Sequence, residues 1–163
     1  MLIRKVFFGI FGAALATSGL LVANDALAET VIKIKSQGVA VIDRQNFPLS
    51  DGSAVQLIAF RTVWTELEGD LAGQSRGSSC HGLGKVTPEG VYSGLGRCEA
   101  TWSAKDALTL DYSDGAGGGD WVVIGGTGKF KGAKGSGHVT FVWFDAVNGD
   151  KATLTDEGTI TLP

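Results

Sequence analysis

Ser79-Cys80-His81-Gly82-Leu83-Gly84-Lys85-Val86-Thr87-Pro88-Glu89-Gly90-Val91-Tyr92-Ser93-Gly94-Leu95-Gly96-Arg97-Cys98-Glu99 is the stretch that decides the fold. Thr87-Pro88-Glu89-Gly90 is a turn signal, with proline early and glycine late. The flanking runs alternate at period two, as half-buried strands do. In a hairpin centred on this turn, opposed residue numbers sum to about 178, so Cys80 falls opposite Cys98. One face then carries Cys80, Gly82, Gly84, Val86, Tyr92, Gly94, Gly96, Cys98, Ala100 and Trp102, and reads as internal. The other carries Ser79, His81, Lys85, Ser93, Arg97 and Glu99. Gly82 opposes Gly96 and Gly84 opposes Gly94, leaving space over the strands. Bulky side chains such as Tyr92 or Trp102 fill that space, or it stays open as a cavity.

The same alternation extends outward. Eight candidate strands follow, at about Thr30–Ile42, Ala54–Glu68, Gln74–Val86, Val91–Trp102, Ala107–Tyr112, Trp121–Gly125, Gly137–Phe144 and Lys151–Leu162. Turn chemistry separates them: Pro48–Gly52, the glycine-rich Ser113–Asp120, and Asn148-Gly149-Asp150. Short strands at regular spacing read as a sandwich or barrel, and eight of them suit an antiparallel barrel closed on itself, which has no exposed edges. The fold class expected is all-β, in one domain spanning 29–163.

Residues 1–28 read differently. Arg4 and Lys5 form a basic head, Val6–Ala23 carries no charge, and Ala26-Leu27-Ala28 has the small-x-small pattern of a peptidase site. This is a bacterial-type secretory signal cleaved after Ala28, and the expected location is periplasm or medium. Glycine, serine and threonine dilute the apolar run below what a membrane anchor needs. Cleavage leaves 12 basic and 16 acidic residues among 135, a net charge of about −4. That balance excludes a nucleic-acid partner, which needs a basic stripe, and no membrane segment remains. Cys80 and Cys98 in an exported chain favour a disulfide. Two cysteines and two separated histidines, His81 and His138, do not supply a metal site, and no cofactor is expected.

Gly125-Gly126-Thr127-Gly128-Lys129-Phe130 is the most distinctive run. It is not a Walker loop: Val123 stands where the first glycine belongs, and Phe130 stands where serine or threonine would bind magnesium. It reads as a connection between strands with Phe130 tucked back as a plug. Trp121–Ile124, this run and Ala133-Lys134-Gly135 together resemble the strand-turn-strand signature of the allene oxide cyclase and dirigent-like barrel superfamily. The resemblance covers some 15 residues closely and the rest by strand count. It implies an eight-stranded barrel with an apolar cavity, often a trimer. Its activities would be cyclisation or isomerisation, or stereochemical guidance of phenolic coupling. The family's catalytic residues do not map onto this chain one by one, so the activity does not transfer.

Candidate site residues follow from parity. Arg61 shares a phase with Val55, Leu57, Ala59 and Val63, and Asp156 with Leu154, Ile160 and Leu162. An interior arginine needs a partner, which points to an Arg61–Asp156 pair. That pair lines the cavity, or is a closed structural ion pair, or one of the two strands runs in the opposite phase; Ile58, Phe60 and Trp64 keep the second phase open. Arg61, Asp156, Tyr92 and Trp102 are the candidate ligand contacts. No catalytic constellation is evident, and His81 and His138 read as surface residues. Strand 54–68 is apolar on both faces, and Trp143 and Phe144 are adjacent, so an apolar outer surface and a homo-oligomer are expected. The function expected is binding or orienting a small apolar ligand inside the barrel. The alternatives are an isomerase or cyclase acting there, or a filled structural barrel.

Overall fold

The computed structural model describes residues 29–144 and 150–163. Residues 1–28, read above as a secretory signal, and Asn148-Gly149, read above as a turn, lie outside the described residues. Eight strands follow in order: β1 (Thr30–Pro48), β2 (Ala54–Glu66), β3 (Ser75–Val86), β4 (Tyr92–Thr101), β5 (Ala107–Gly115), β6 (Gly118–Gly126), β7 (Lys134–Trp143) and β8 (Lys151–Leu162). Each pairs antiparallel with its chain neighbours and β8 pairs with β1, closing an up-and-down barrel. Closure gives every strand a hydrogen-bonded neighbour on both sides.

The hairpin register is the expected one. Cys80 pairs with Cys98, Gly82 with Gly96, Gly84 with Gly94 and Val86 with Tyr92. The cysteines form a disulfide, with Cα atoms 4.0 Å apart. The space above the paired glycines is filled by two tyrosines. A Cβ on Gly84 would stand 2.6 Å from the Tyr92 ring, and one on Gly96 would stand 2.6 Å from the Tyr112 hydroxyl. Trp102 does not enter that space. It lies past the end of β4 and stacks at 4.6 Å on Phe130.

Two differences from the sequence reading have clear causes. β1 runs six residues beyond Ile42, because Asp43–Pro48 continue to pair with β2 after the β8 pairing ends at Val41. The glycine-rich Ser113–Asp120 is no loop: β5 and β6 pair through it from Ser113↔Asp120 to Gly115↔Gly118, turning only at Ala116-Gly117. Glycine leaves a strand permissible, and pairing across a short turn decides it.

Because the barrel is up-and-down, its connections divide between two ends. At one end the 3-10 turn Gly128–Phe130 folds Phe130 into the barrel at 0% exposure, the plug expected from the sequence. Phe130 packs with Ile32, Ile34, Leu71, Leu108, Trp121 and Ile160 and closes that end. Gly128 has φ of +57°, a left-handed conformation suited to glycine. A second cluster, Ala40, Ile42, Ile58, Trp64 and Leu154, lies toward the other end, which is open.

Candidate functional site

The interior has three levels. Above the closed end lies a belt of buried polar groups. Arg76, on the inward face of β3, bonds Asp156 of β8 and stands 3.3 Å from Glu66 of β2. Ser36 of β1 donates to Glu66, and Trp121 Nε1 donates to Asp156 at 2.8 Å. The guanidinium carbon of Arg76 sits 4.8 Å from the Trp64 ring centroid and 5.4 Å from that of Trp102. One cation shared by two carboxylates and two indoles is a coherent answer to the cost of burying charge.

Above the belt is a small space of about 60 Å³, bounded by the disulfide, Leu110, Tyr112, Trp121, Arg76 and Asp156. Phe60, Phe141 and Leu154 line both this space and a larger cavity of about 330 Å³, so the two are stacked. Apolar groups dominate the upper cavity: Ala40, Ile42, Ile58, Phe60, Phe141 and Leu154. It opens among Arg44, Gln56, Val86, Tyr92, Asp114 and Trp143. A volume at the lower end of ligand pockets, mostly apolar with a few polar groups at one side, suits a small organic molecule.

Those polar groups are arranged. Tyr92 donates to Asp114 Oδ1 at 3.1 Å, across the β4–β5 pair. Burial raises the Asp114 carboxyl above its ordinary range, only partly offset by the Tyr92 hydrogen bond. Burial, and then the charge of Asp114, raise the Tyr92 phenol. Arg44 lies over Trp143 at 4.8 Å from its centroid, holding a positive charge at the mouth. The arrangement can accept or donate a hydrogen bond at Asp114 and meet an anionic or carbonyl oxygen at Arg44.

The four candidate contacts separate. Tyr92 lines the upper cavity and Asp156 the deep space. Trp102 lies at the closed end against Phe130 and Arg76, away from the open cavity. The Arg61 assignment is corrected: Arg61 is exposed on the outer face, between Val41 and Ser79. β2 runs in the other phase, with Ile58, Thr62, Trp64 and Glu66 buried, so the partner of Asp156 is Arg76. His81 and His138 are exposed, and His138 Nδ1 lies 2.7 Å from Asp120.

Arg76, Glu66, Asp114 and Arg44 were not found from the sequence. Arg76 had a usable signal, since the parity that turns Cys80 inward also turns Ser78 and Arg76 inward. Asp114 had none, because the glycines around it concealed its strand.

No family model and no curated protein matches the chain. Among solved structures, the pterocarpan synthase dirigent protein GePTS1 superposes with a TM-score of 0.57 over 90% of this chain and 99% of that one, at 14% identity. The chain folds as a dirigent-like barrel. The related pterocarpan synthase dirigent protein PsPTS1 matches 82% of this chain and 95% of its own, at 13% identity and a TM-score of 0.43. At such identities the dirigent-like description covers the strand order and closed wall. The chemistry must be argued from this chain's own cavity.

Proposed function

We propose that this dirigent-like barrel is an exported protein that binds a small, largely apolar molecule in its upper cavity and holds it in one orientation. The carrying observation is the cavity of about 330 Å³, with an aromatic and aliphatic wall and its polar groups gathered at Arg44, Tyr92 and Asp114. The apolar wall supplies affinity through desolvation and the polar side sets which end of the ligand enters first. Export is supported by the three-zone start of the chain and by the Cys80–Cys98 disulfide, which belongs in an oxidising compartment. Leu57, Leu83 and Leu95 stand in one cross-strand row on the outer wall, all exposed. That row supports self-association through the wall.

A second reading, proton transfer to a bound ligand in the manner of an isomerase, is favoured by one observation: a carboxyl raised by burial beside a phenol, inside the cavity.

The test is displacement of an environment-sensitive naphthalene-sulfonate dye, with native mass spectrometry of the exported protein reporting retained ligand and subunit number. Ile58→Trp fills the cavity and is expected to abolish dye binding, with Arg61→Ala as an unaffected control. Dye binding that Ile58→Trp leaves unchanged refutes the cavity as the site. Orientation without proton transfer predicts that Asp114→Asn retains binding and any product yield. Loss of turnover with binding intact favours the isomerase reading.

A further inference from the structure

The small space beneath the cavity is built around a hydrogen-bond donor that the fold does not use. Arg76 lines this space, and its guanidinium is held on three sides. One terminal nitrogen bonds Asp156 and the other stands 3.3 Å from Glu66, while the Trp64 ring centroid lies 4.8 Å from the central carbon. The third nitrogen, Nε, is buried and has no hydrogen-bond partner among the described residues. A second donor stands two positions along the same strand, on the same face. Ser78 also lines the space, and its Oγ accepts from Trp64 Nε1 at 3.1 Å, a bond that does not spend its hydroxyl hydrogen. The nearby carboxylate is already engaged at both oxygens: Asp156 accepts Arg76 at Oδ2 and Trp121 at Oδ1. Much of the remaining wall is apolar, from the disulfide, Ala100, Leu110 and Val139.

We infer that this lower space receives the leading end of the ligand, and that the ligand is an apolar body ending in a carbonyl-type oxygen. The inference rests on the reading of the upper cavity as the binding site, and adds what the end that enters first carries. Phe60, Phe141 and Leu154 line both spaces, so a molecule with its body in the upper cavity projects its end past them. A volume of about 60 Å³ suits a small terminal group. A buried water typically makes about three hydrogen bonds, some of them as donor, and here it meets donors and a carboxylate already engaged. A carbonyl oxygen accepts without donating, and the carbon atoms beside it suit the disulfide and Leu110. A buried donor without a partner is costly, and a ligand oxygen that pairs with it recovers that cost on binding. The guanidinium is already fixed by its carboxylates and an indole, so little ordering is lost in the process. Asp156, a candidate ligand contact from the sequence, is then a positioning residue that holds Arg76 and is held by Trp121. Formal charge agrees: one cation and two carboxylates leave the belt negative, which admits a neutral oxygen and repels a carboxylate or phosphate.

The experiment compares two competitors of the naphthalene-sulfonate dye, 2-acetylnaphthalene and 2-isopropenylnaphthalene, which match in shape and differ only in C=O against C=CH2. In a wholly apolar site the hydrocarbon binds better, because the ketone gives up hydration without a replacement. With Arg76 as donor, the ketone should displace dye at a concentration about tenfold lower than the hydrocarbon, as a hydrogen bond from a charged group allows. Ala100 lines the lower space and not the upper cavity, so Ala100→Val fills the lower space alone. Arg76→Met keeps the apolar stem and removes the Nε–H. Either variant should bring the ketone down to the hydrocarbon or below it. An unfolding transition shows that each variant folds, and if Arg76→Met does not, the parent and Ala100→Val still decide. Equal affinities in the parent, or tighter binding of the hydrocarbon, would overturn the inference. So would a ketone preference that persists in either folded variant, which would assign the oxygen to Tyr92, Tyr112 or Asp114 instead. Dye binding that Ile58→Trp leaves unchanged removes the cavity reading and this one with it. Dye binding that Ile58→Trp abolishes, with no ketone preference in the parent, removes this one alone.

Discussion

Replacing Arg76 by methionine probes the polar belt most directly. Its side chain is 5% exposed, and its partners Glu66 and Asp156 are 0% and 5% exposed. Methionine retains most of the apolar stem between Trp64 and Trp102 but removes the one cation that serves both carboxylates. Breaking a buried ion pair from one side costs about 3–5 kcal/mol, because the remaining charge is left desolvated. Here two carboxylates are left, so the upper part of that range is expected. For a domain of this size each kcal/mol lowers the unfolding midpoint by about 3–5 °C, giving a drop on the order of 12–25 °C. Urea unfolding followed by tryptophan fluorescence, with calorimetry for the midpoint, measures both. Adding Glu66→Gln and Asp156→Asn to Arg76→Met should recover part of the loss, since neutral amides cost less to bury than carboxylates. Arg61→Ala should stay within about 0.5 kcal/mol, as exposed positions do. If Arg76→Met costs less than about 1 kcal/mol, or Arg61→Ala costs more than Arg76→Met, the placement of β2 and the belt is wrong.

Reducing the Cys80–Cys98 disulfide, or replacing both cysteines by alanine, should cost about 3 kcal/mol from the loop it closes over 18 positions; urea titrations with and without reductant measure it, and equal midpoints would contradict it. Phe130→Ala should cost about 3–5 kcal/mol, the range for emptying an aromatic site at a buried position, read from the calorimetric midpoint. Asp114 is held above its ordinary range by burial, so the folded state binds its proton more tightly than the unfolded chain does. Its contribution to stability is present in acid and is lost as pH rises from about 3.9 to the raised folded value. Asp106 and Asp51, lowered chiefly by hydrogen bonds from Lys129 and Ser53 respectively, act in the opposite sense and lose stability as pH falls. The difference in stability between parent and Asp114→Asn across acid pH isolates the Asp114 contribution. It should fall with rising pH, and a flat difference would refute the assignment.

Much of the fold was legible in the chain. The β3–β4 hairpin has one turn signal and one clean alternation, so its register, its disulfide and its inward face all follow from counting. The Phe130 plug follows from a glycine run whose spacing fails every phosphate motif. β2 was not legible, because alternation assigns a face only when one side is polar. Its two sides, Val55-Leu57-Val63 and Ile58-Phe60-Trp64, are both apolar. The wrong phase put Arg61 inside and hid Glu66. Only pairing with β1 and β3, whose phases are clear, turns Trp64 and Glu66 inward.

The site divides along the same line. Period-two order by itself determined which residues of β3 and β4 face the interior, because each strand reports its own two faces. Which interior residues meet was decided only by barrel closure, which brings β8 beside β1 and sets Arg76 against Asp156 across 80 positions of sequence. Closure also gathers Arg44, Tyr92, Asp114 and Trp143 around one opening. Such convergence depends on the register of strands that are distant in the chain, and no local pattern encodes it.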